Sequence, residues 1–270
     1  MRTRHLFPLF ALLLAAFVWG CHDGHIKEEV RVDRFDRVLD EYVSLGSYSA
    51  LQKMNTQYPQ QTKLLIEDVL DIGHVEEADV EQRLRYFYLD STVQLLLEEV
   101  HRQYADMSDI EMDLTQAFER MKKEDPNFPV PHVYAQVSCL RQSIVVGDTL
   151  IGISLDKYLG ADYPPYQEYF HANQLESMTR ENIVADALTF YLLYTYVSPV
   201  SPKIGSSVPQ YIARVHWVVA HILGIPPRDH VPSYHQRDKD IDISPELAKV
   251  DAYMKEHPKT SILELLRMKD

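Results

Sequence analysis

Residues 132–160, HVYAQVSCLRQSIVVGDTLIGISLDKYLG, are the one long stretch of this 270-residue chain whose apolar side chains run at a period of two. Val133, Ala135, Val137 and Cys139 alternate with His132, Tyr134, Gln136 and Ser138, the pattern of a half-buried strand. Two further segments, 143–146 and 149–155, flank Gly147-Asp148, a pair whose tolerance of positive φ predicts a tight primed hairpin turn. About three strands are therefore expected, too few to be stable alone and in need of helices to cover them. The fold class that follows is α+β, mainly helical, with helices packed on a small sheet.

The helices are legible on both sides of that stretch. Phe35, Val38, Leu39, Tyr42 and Val43 recur at three- and four-residue intervals, as do Val93, Leu96, Leu97, Val100 and Tyr104. Ile110, Leu114, Phe118 and Met121 continue the pattern after Ser108, which is expected to cap that helix. Pro126, Pro129 and Pro131 then end the helical run, because each lacks a backbone donor and fixes an extended path. After the strands and the polar, aromatic loop 161–178, a helix is expected over 179–196 with Thr179 as its cap. Ile183, Val184, Ala187, Leu188, Phe190, Tyr191, Leu192 and Leu193 make it apolar nearly all round, the mark of a central buried helix. Asp186 sits inside that run, and an acid there needs a partner or a raised pKa.

The first residues bear on compartment. Arg2 and Arg4 precede an apolar core, 6–18, which has the length of an export signal and is short for a membrane span. It ends in Val18-Trp19-Gly20-Cys21, which resembles a bacterial lipobox. That resemblance implies cleavage before Cys21 and diacylation of its sulfur, so that two or three acyl chains hold the chain to a membrane. Residues 1–20 are then the signal, 21–31 a polar spacer carrying the lipid, and 32–270 a single domain. Cys139 would have no intrachain partner for a disulfide, and it is expected to fill the core as a small hydrophobe on the apolar face of the first strand.

Charge narrows the partners. The full chain carries −13, and loss of Arg2 and Arg4 with the signal lowers this by two, to about −15. A body so acidic is a poor binder of nucleic acid and does not lie flat on anionic lipid. The expected partners are the membrane, through lipid on Cys21, and other envelope proteins.

Three sets of residues carry a resemblance. Val32-Asp33-Arg34-Phe35-Asp36, then Ile153-Ser154-Leu155-Asp156-Lys157-Tyr158-Leu159-Gly160, then Tyr253-Met254-Lys255 followed by Ser261-Ile262-Leu263-Glu264-Leu265-Leu266, together resemble the GldB gliding-motility lipoproteins of Bacteroidota. The resemblance implies an envelope lipoprotein associated with gliding and type IX secretion, lipid-anchored at the outer membrane on its periplasmic face or at the cell surface. Members also occur in bacteria that do not glide. Around 224–250 the sequence departs from the family pattern, being rich in Asp, His and Pro where a Gly-rich approach to the last helix is expected.

The strand, loop and helix order also resembles that of zinc metallopeptidases, in which an edge strand precedes an HExxH helix. That chemistry needs two histidines one turn apart and a glutamate to activate water. Residues 179–196 contain no histidine, which argues against it and suggests a degenerate, pseudoenzyme-like scaffold. No catalytic residue, metal ligand or cofactor is therefore assigned; Asp156 and Asp186 are left as a possible buried acidic site. His216 and His221, five apart on an expected helix, point about 140° from one another and do not readily share a metal. His230 and His235 lie near Asp229, Asp238, Asp240 and Asp242, which leaves a metal-dependent hydrolase with non-standard ligands as one alternative. A peptide- or glycan-binding surface built from the 17 tyrosines is another.

Overall fold

The computed structural model describes residues 29–196, 208–226, 234–236 and 239–268. It opens with a two-residue strand, β1 (Val32–Asp33), preceded by Val30, which is buried. The amides of Val30 and Val32 donate to Thr115 Oγ1 and Glu111 Oε1, both at 2.9 Å. Helix α1 (Phe35–Leu45) buries Phe35, Leu39, Tyr42 and Val43, the stripe the sequence spacing predicts. It ends on Gly46 at φ +67°, a left-handed cap against which the Arg85 guanidinium rests 3.0 Å from where a Cβ would lie.

Helices α2 (Tyr48–Thr56), α3 (Pro59–Lys63, continued by a π-turn to Val69) and α4 (Val80–Tyr88) follow. Next come α5 (Ser91–Gln103) and α6 (Ser108–Glu124), which bury their expected stripes. Ser108 is the first residue of α6 and not its cap; the Asp106 carboxylate accepts its N–H at 3.0 Å from outside the helix.

The sheet has four strands. To β1 are added β2 (His132–Gln136), β3 (Ile144–Gly147) and β4 (Leu150–Ser154), in spatial order β1-β2-β4-β3. β1 and β4 both run parallel to β2, with Val32 beside Val133 and Val133 beside Ile151; β3 and β4 are antiparallel. β2 is therefore central and not half-buried: Val133, Tyr134, Ala135 and Gln136 are all buried, as is every residue of β4. Gln136 Nε2 donates to Ser154 Oγ at 3.1 Å across the ladder, while Gln136 Oε1 and Tyr134 Oη are buried without a hydrogen-bond partner. The Tyr134 ring lies on Gly152, where a Cβ would come within 2.5 Å of it, and edge-on to Phe35.

The hairpin turn is Asp148-Thr149, because Gly147 pairs with Leu150 inside the ladder. None of the three residues has positive φ, so the primed turn expected of Gly147-Asp148 is not formed. β2 also stops three residues short of the expected 132–139, and Cys139 is half-buried in the loop beyond it, not on a strand face.

The segment expected to be a loop over 161–178 contains two short helices, α7 (Tyr166–Tyr169) and α8 (Ala172–Leu175). Thr179 precedes a 3-10 turn, Arg180–Asn182, that runs directly into α9 (Ile183–Tyr196); its side chain caps no backbone amide and its Oγ1 accepts the Asn182 side-chain amide at 3.0 Å. α9 is the buried helix, with Ile183 to Thr189, Tyr191 and Leu192 out of solvent, and it packs on β3, β4 and α10 (Val208–Leu223). A small hairpin, β5 (Tyr234–Gln236) with β6 (Lys239–Ile241), and helices α11 (Ser244–Glu256) and α12 (Ile262–Arg267) complete the described chain. Among the described residues no helix is long and apolar enough to cross a membrane.

Candidate functional site

The eight residues from Ile153 to Gly160 form a largely buried, heavily hydrogen-bonded segment. β4 delivers Asp156 onto a 3-10 turn, Leu155–Lys157, at zero exposure. Its carboxylate does not face an opening. Oδ1 accepts the Ser138 amide at 2.7 Å, Oδ2 accepts the Leu140 amide at 2.6 Å, and the Ser138 hydroxyl lies 3.3 Å from Oδ2. Those amides converge because Cys139 and Leu140 are both left-handed, at φ 54° and 65°. Two consecutive non-glycine residues in that region are strained, and a conformation of this kind persists where its surroundings over-determine it. The carboxylate supplies that determination. Burial raises the pKa of Asp156, while the Leu140 and Ser138 amides pull it down.

The neighbouring residues are committed in the same way. Lys157 lies over the Phe170 ring, its Nζ 4.0 Å from the centroid, and burial lowers its pKa against the pull of Asp156. Tyr158 is fully buried and donates its hydroxyl to Asp186 Oδ2 on α9 at 2.8 Å. The Leu159 amide donates to Tyr166 Oη at 2.9 Å, and the Tyr166 hydroxyl in turn donates to the Asp156 carbonyl. From α5, Gln103 Nε2 donates to the Leu159 carbonyl at 2.8 Å and the Tyr104 hydroxyl to that of Tyr158.

The opening motif reaches the same place. Arg34 grips the buried Asp36 with two hydrogen bonds, 2.9 and 2.6 Å, and its remaining arm donates to the Tyr104 carbonyl at 2.7 Å. Tyr104 therefore ties residues 32–36 to residues 153–160, and Arg180 stacks over its ring at 4.8 Å while pairing with Asp109.

Asp156 and Asp186 are each buried, yet the structure does not join them: Asp156 holds the loop after β2, whereas Asp186 holds Tyr158. Burial pushes the Asp186 carboxyl up to about 7, opposed by the Tyr158 hydroxyl. The Cys139 thiol is pushed up by burial, the opposite of what a nucleophile needs. His216 is buried in α10, and His221 stacks on Trp217 with ring centres 5.2 Å apart. Asp242 caps α11 by accepting the Ser244 amide. Cys21 lies outside the described residues, as do Asp229, His230 and Asp238. Among the described residues no group of three or more His, Cys, Asp or Glu is placed to hold a metal ion.

Sequence reasoning missed a groove between α1 and α5. Asp40 and Ser44 line one wall, and Leu89, Gln94, Leu95, Glu98 and His101 line the rest. The Ser44 hydroxyl donates to Asp40 Oδ1 at 2.6 Å, and His101 Nε2 stands 3.5 Å from Asp40 Oδ2. Ser44 thus faces the acid and not the imidazole, which is not the order of a nucleophile and its base. The available signal was Leu95, which falls out of phase with the buried Val93, Leu96, Leu97 and Val100.

A mainly helical α+β protein whose most specific motifs meet in a buried hydrogen-bonded hub is what these observations define. Residues 22–207 match the family described as gliding motility protein GldB, and the chain belongs to that family. The match covers both motifs of the hub; the segments Tyr253-Met254-Lys255 and Ser261 to Leu266 lie beyond it. No curated protein and no solved structure matches, so the zinc-peptidase likeness rests on element order alone.

Proposed function

We propose that the chain is a non-catalytic, lipid-tethered component of a motility- or secretion-associated envelope assembly, anchored at the outer membrane through Cys21. Family membership supports the coarse role. The observation that carries the non-catalytic reading is the commitment of Asp156: its two oxygens serve the Ser138 and Leu140 amides, leaving no acceptor directed at a cleft. Its neighbour Tyr158 is occupied by Asp186 in the same manner. A general base needs its oxygen within reach of a substrate proton, and both oxygens of Asp156 are already held by amides of its own chain.

The anchor is tested by feeding cells a labelled lipid precursor. Wild-type chain takes up label and Cys21→Ser does not; equal labelling refutes the anchor. The assembly role is tested by crosslinking in the membrane and identifying the partners, and recovery of abundant bystander lipoproteins alone refutes it.

A further inference from the structure

The corner between α4 and α5 carries an uncovered apolar surface. Leu45, Tyr48, Tyr86, Leu89 and Leu95 are exposed by 78, 87, 82, 52 and 58%. Leu89 and Leu95 share the α1–α5 groove, and the Arg85 side chain, folded over Gly46, joins the end of α1, where Leu45 lies, to the end of α4. Tyr86 lines a second groove on the other side of the corner, with Phe87 and Val93. Isolated exposed apolar residues need no explanation, whereas exposed leucines that line a groove together mark a contact surface.

The geometry points to this corner as the docking site for a basic amphipathic helix of a partner protein, seated along the α1–α5 groove. The inference deepens the assembly role proposed above and rests on it. The groove is a trough between two helices, the shape that accepts a third helix through its apolar side chains at three- and four-residue spacing. Its charge selects the partner: Asp40 and the exposed Glu98 stand among its leucines, with His101 as the sole titratable base. The second groove adds Asp90, and its Arg83 is already paired with Glu77 and Asp79. Lysine or arginine flanking an apolar stripe complements that pattern, and the acidic rim disfavours anionic lipid.

The test uses the full chain held in phosphatidylcholine nanodiscs and a fluorescent amphipathic helical peptide of leucine and lysine. A second peptide carries glutamate for each lysine. The lysine peptide binds and the glutamate peptide does not. Leu95→Glu weakens binding at least tenfold, Leu95→Ala and Glu98→Gln weaken it several-fold, and Met112→Glu, at an exposed position lining neither groove, leaves it unchanged. Leu95 is half out of solvent, and unchanged melting of Leu95→Ala ensures that lost binding is not lost folding. Equal binding by Leu95→Glu and Met112→Glu overturns the proposal. So does Leu95-dependent binding to vesicles of phosphatidylglycerol, or Leu95-dependent self-association without peptide binding. Repeating the peptide titration with full-chain Cys21→Ser in detergent gives the same affinities, so the anchor and the docking surface fail separately.

Discussion

Tyr88 and Tyr86 are two residues apart on α4 and have opposite fates. Tyr88 is fully buried and donates its hydroxyl to the Val137 carbonyl beneath the strained loop; Tyr86 is 82% exposed beside the uncovered leucines. The hub around Ser154 to Gly160 and the α4–α5 corner extend that contrast, since both are built from tyrosine, leucine and aspartate. In the hub Asp156, Tyr158, Tyr104 and Tyr166 each bond to a group across the core, so a change removes a partner from a buried group. At the corner the side chains answer solvent, so a change alters only what can lie against them. Buried polar networks fix one structure, and exposed apolar surface sets what binds.

The largest test of that contrast is Asp156→Ala. It leaves the Ser138 and Leu140 amides buried without acceptors on a strained turn, and is expected to lower unfolding free energy by about 3 kcal/mol or more in urea denaturation. A loss under about 1 kcal/mol would mean that the loop holds itself, and the hub would be no more than ordinary packing.

Asp186 gives the next effect, and it depends on pH. Its folded pKa is raised to about 7 from an ordinary value near 3.8, so the folded state binds the proton more tightly than the unfolded one. Its contribution is full below about pH 4 and is lost as pH rises through 7. Each unit of such a difference is worth about 1.4 kcal/mol. Asp186→Asn keeps an acceptor for Tyr158, does not titrate, and is expected to flatten the fall of melting temperature between pH 4 and 7. An unaltered profile would place the titration elsewhere.

Tyr104→Phe removes one hydroxyl while keeping the ring under Arg180, with an expected loss of about 1 to 2 kcal/mol. The smallest effect belongs to the corner. Leu45→Ser and Tyr86→Ser are expected to change stability by no more than about 0.5 kcal/mol by thermal unfolding, because neither side chain leaves a buried partner behind.

Much of the architecture could be read from spacing alone. The stripes of α1, α5 and α6 and the all-round apolar character of α9 are properties of single segments, and the structure buries them as the periodicities demand. What escaped depends on residues far apart in the chain. β1 has two residues and no pattern of its own, and it exists because β2 offers it an edge. The alternation over 132–139 read as half-buried because the burial of Gln136 relies on Ser154 across the ladder, which the local sequence does not display. The turn was misplaced because Gly147 was read for its freedom, when the ladder holds it extended. Asp156 and Asp186 are expected as a possible buried acidic site, whereas their partners are backbone amides and a tyrosine that no motif announces. The groove was missed for a simpler reason: Leu95 falls out of phase with its helix's buried stripe, but a single exposed leucine does not show that a groove lies beside it.

The parallel pairing of Val32 with Val133 has a consequence for how the molecule forms. The partners are about a hundred residues apart, and bringing such distant segments together is slow relative to forming helices, whose contacts are local. Helices α1 to α6 can therefore form before the sheet has its first edge, and the two residues of β1 are among the last to be secured. The start of the described chain is thus tied down late, by a strand of two residues, and refolding measured at residue 32 should lag refolding measured at α6.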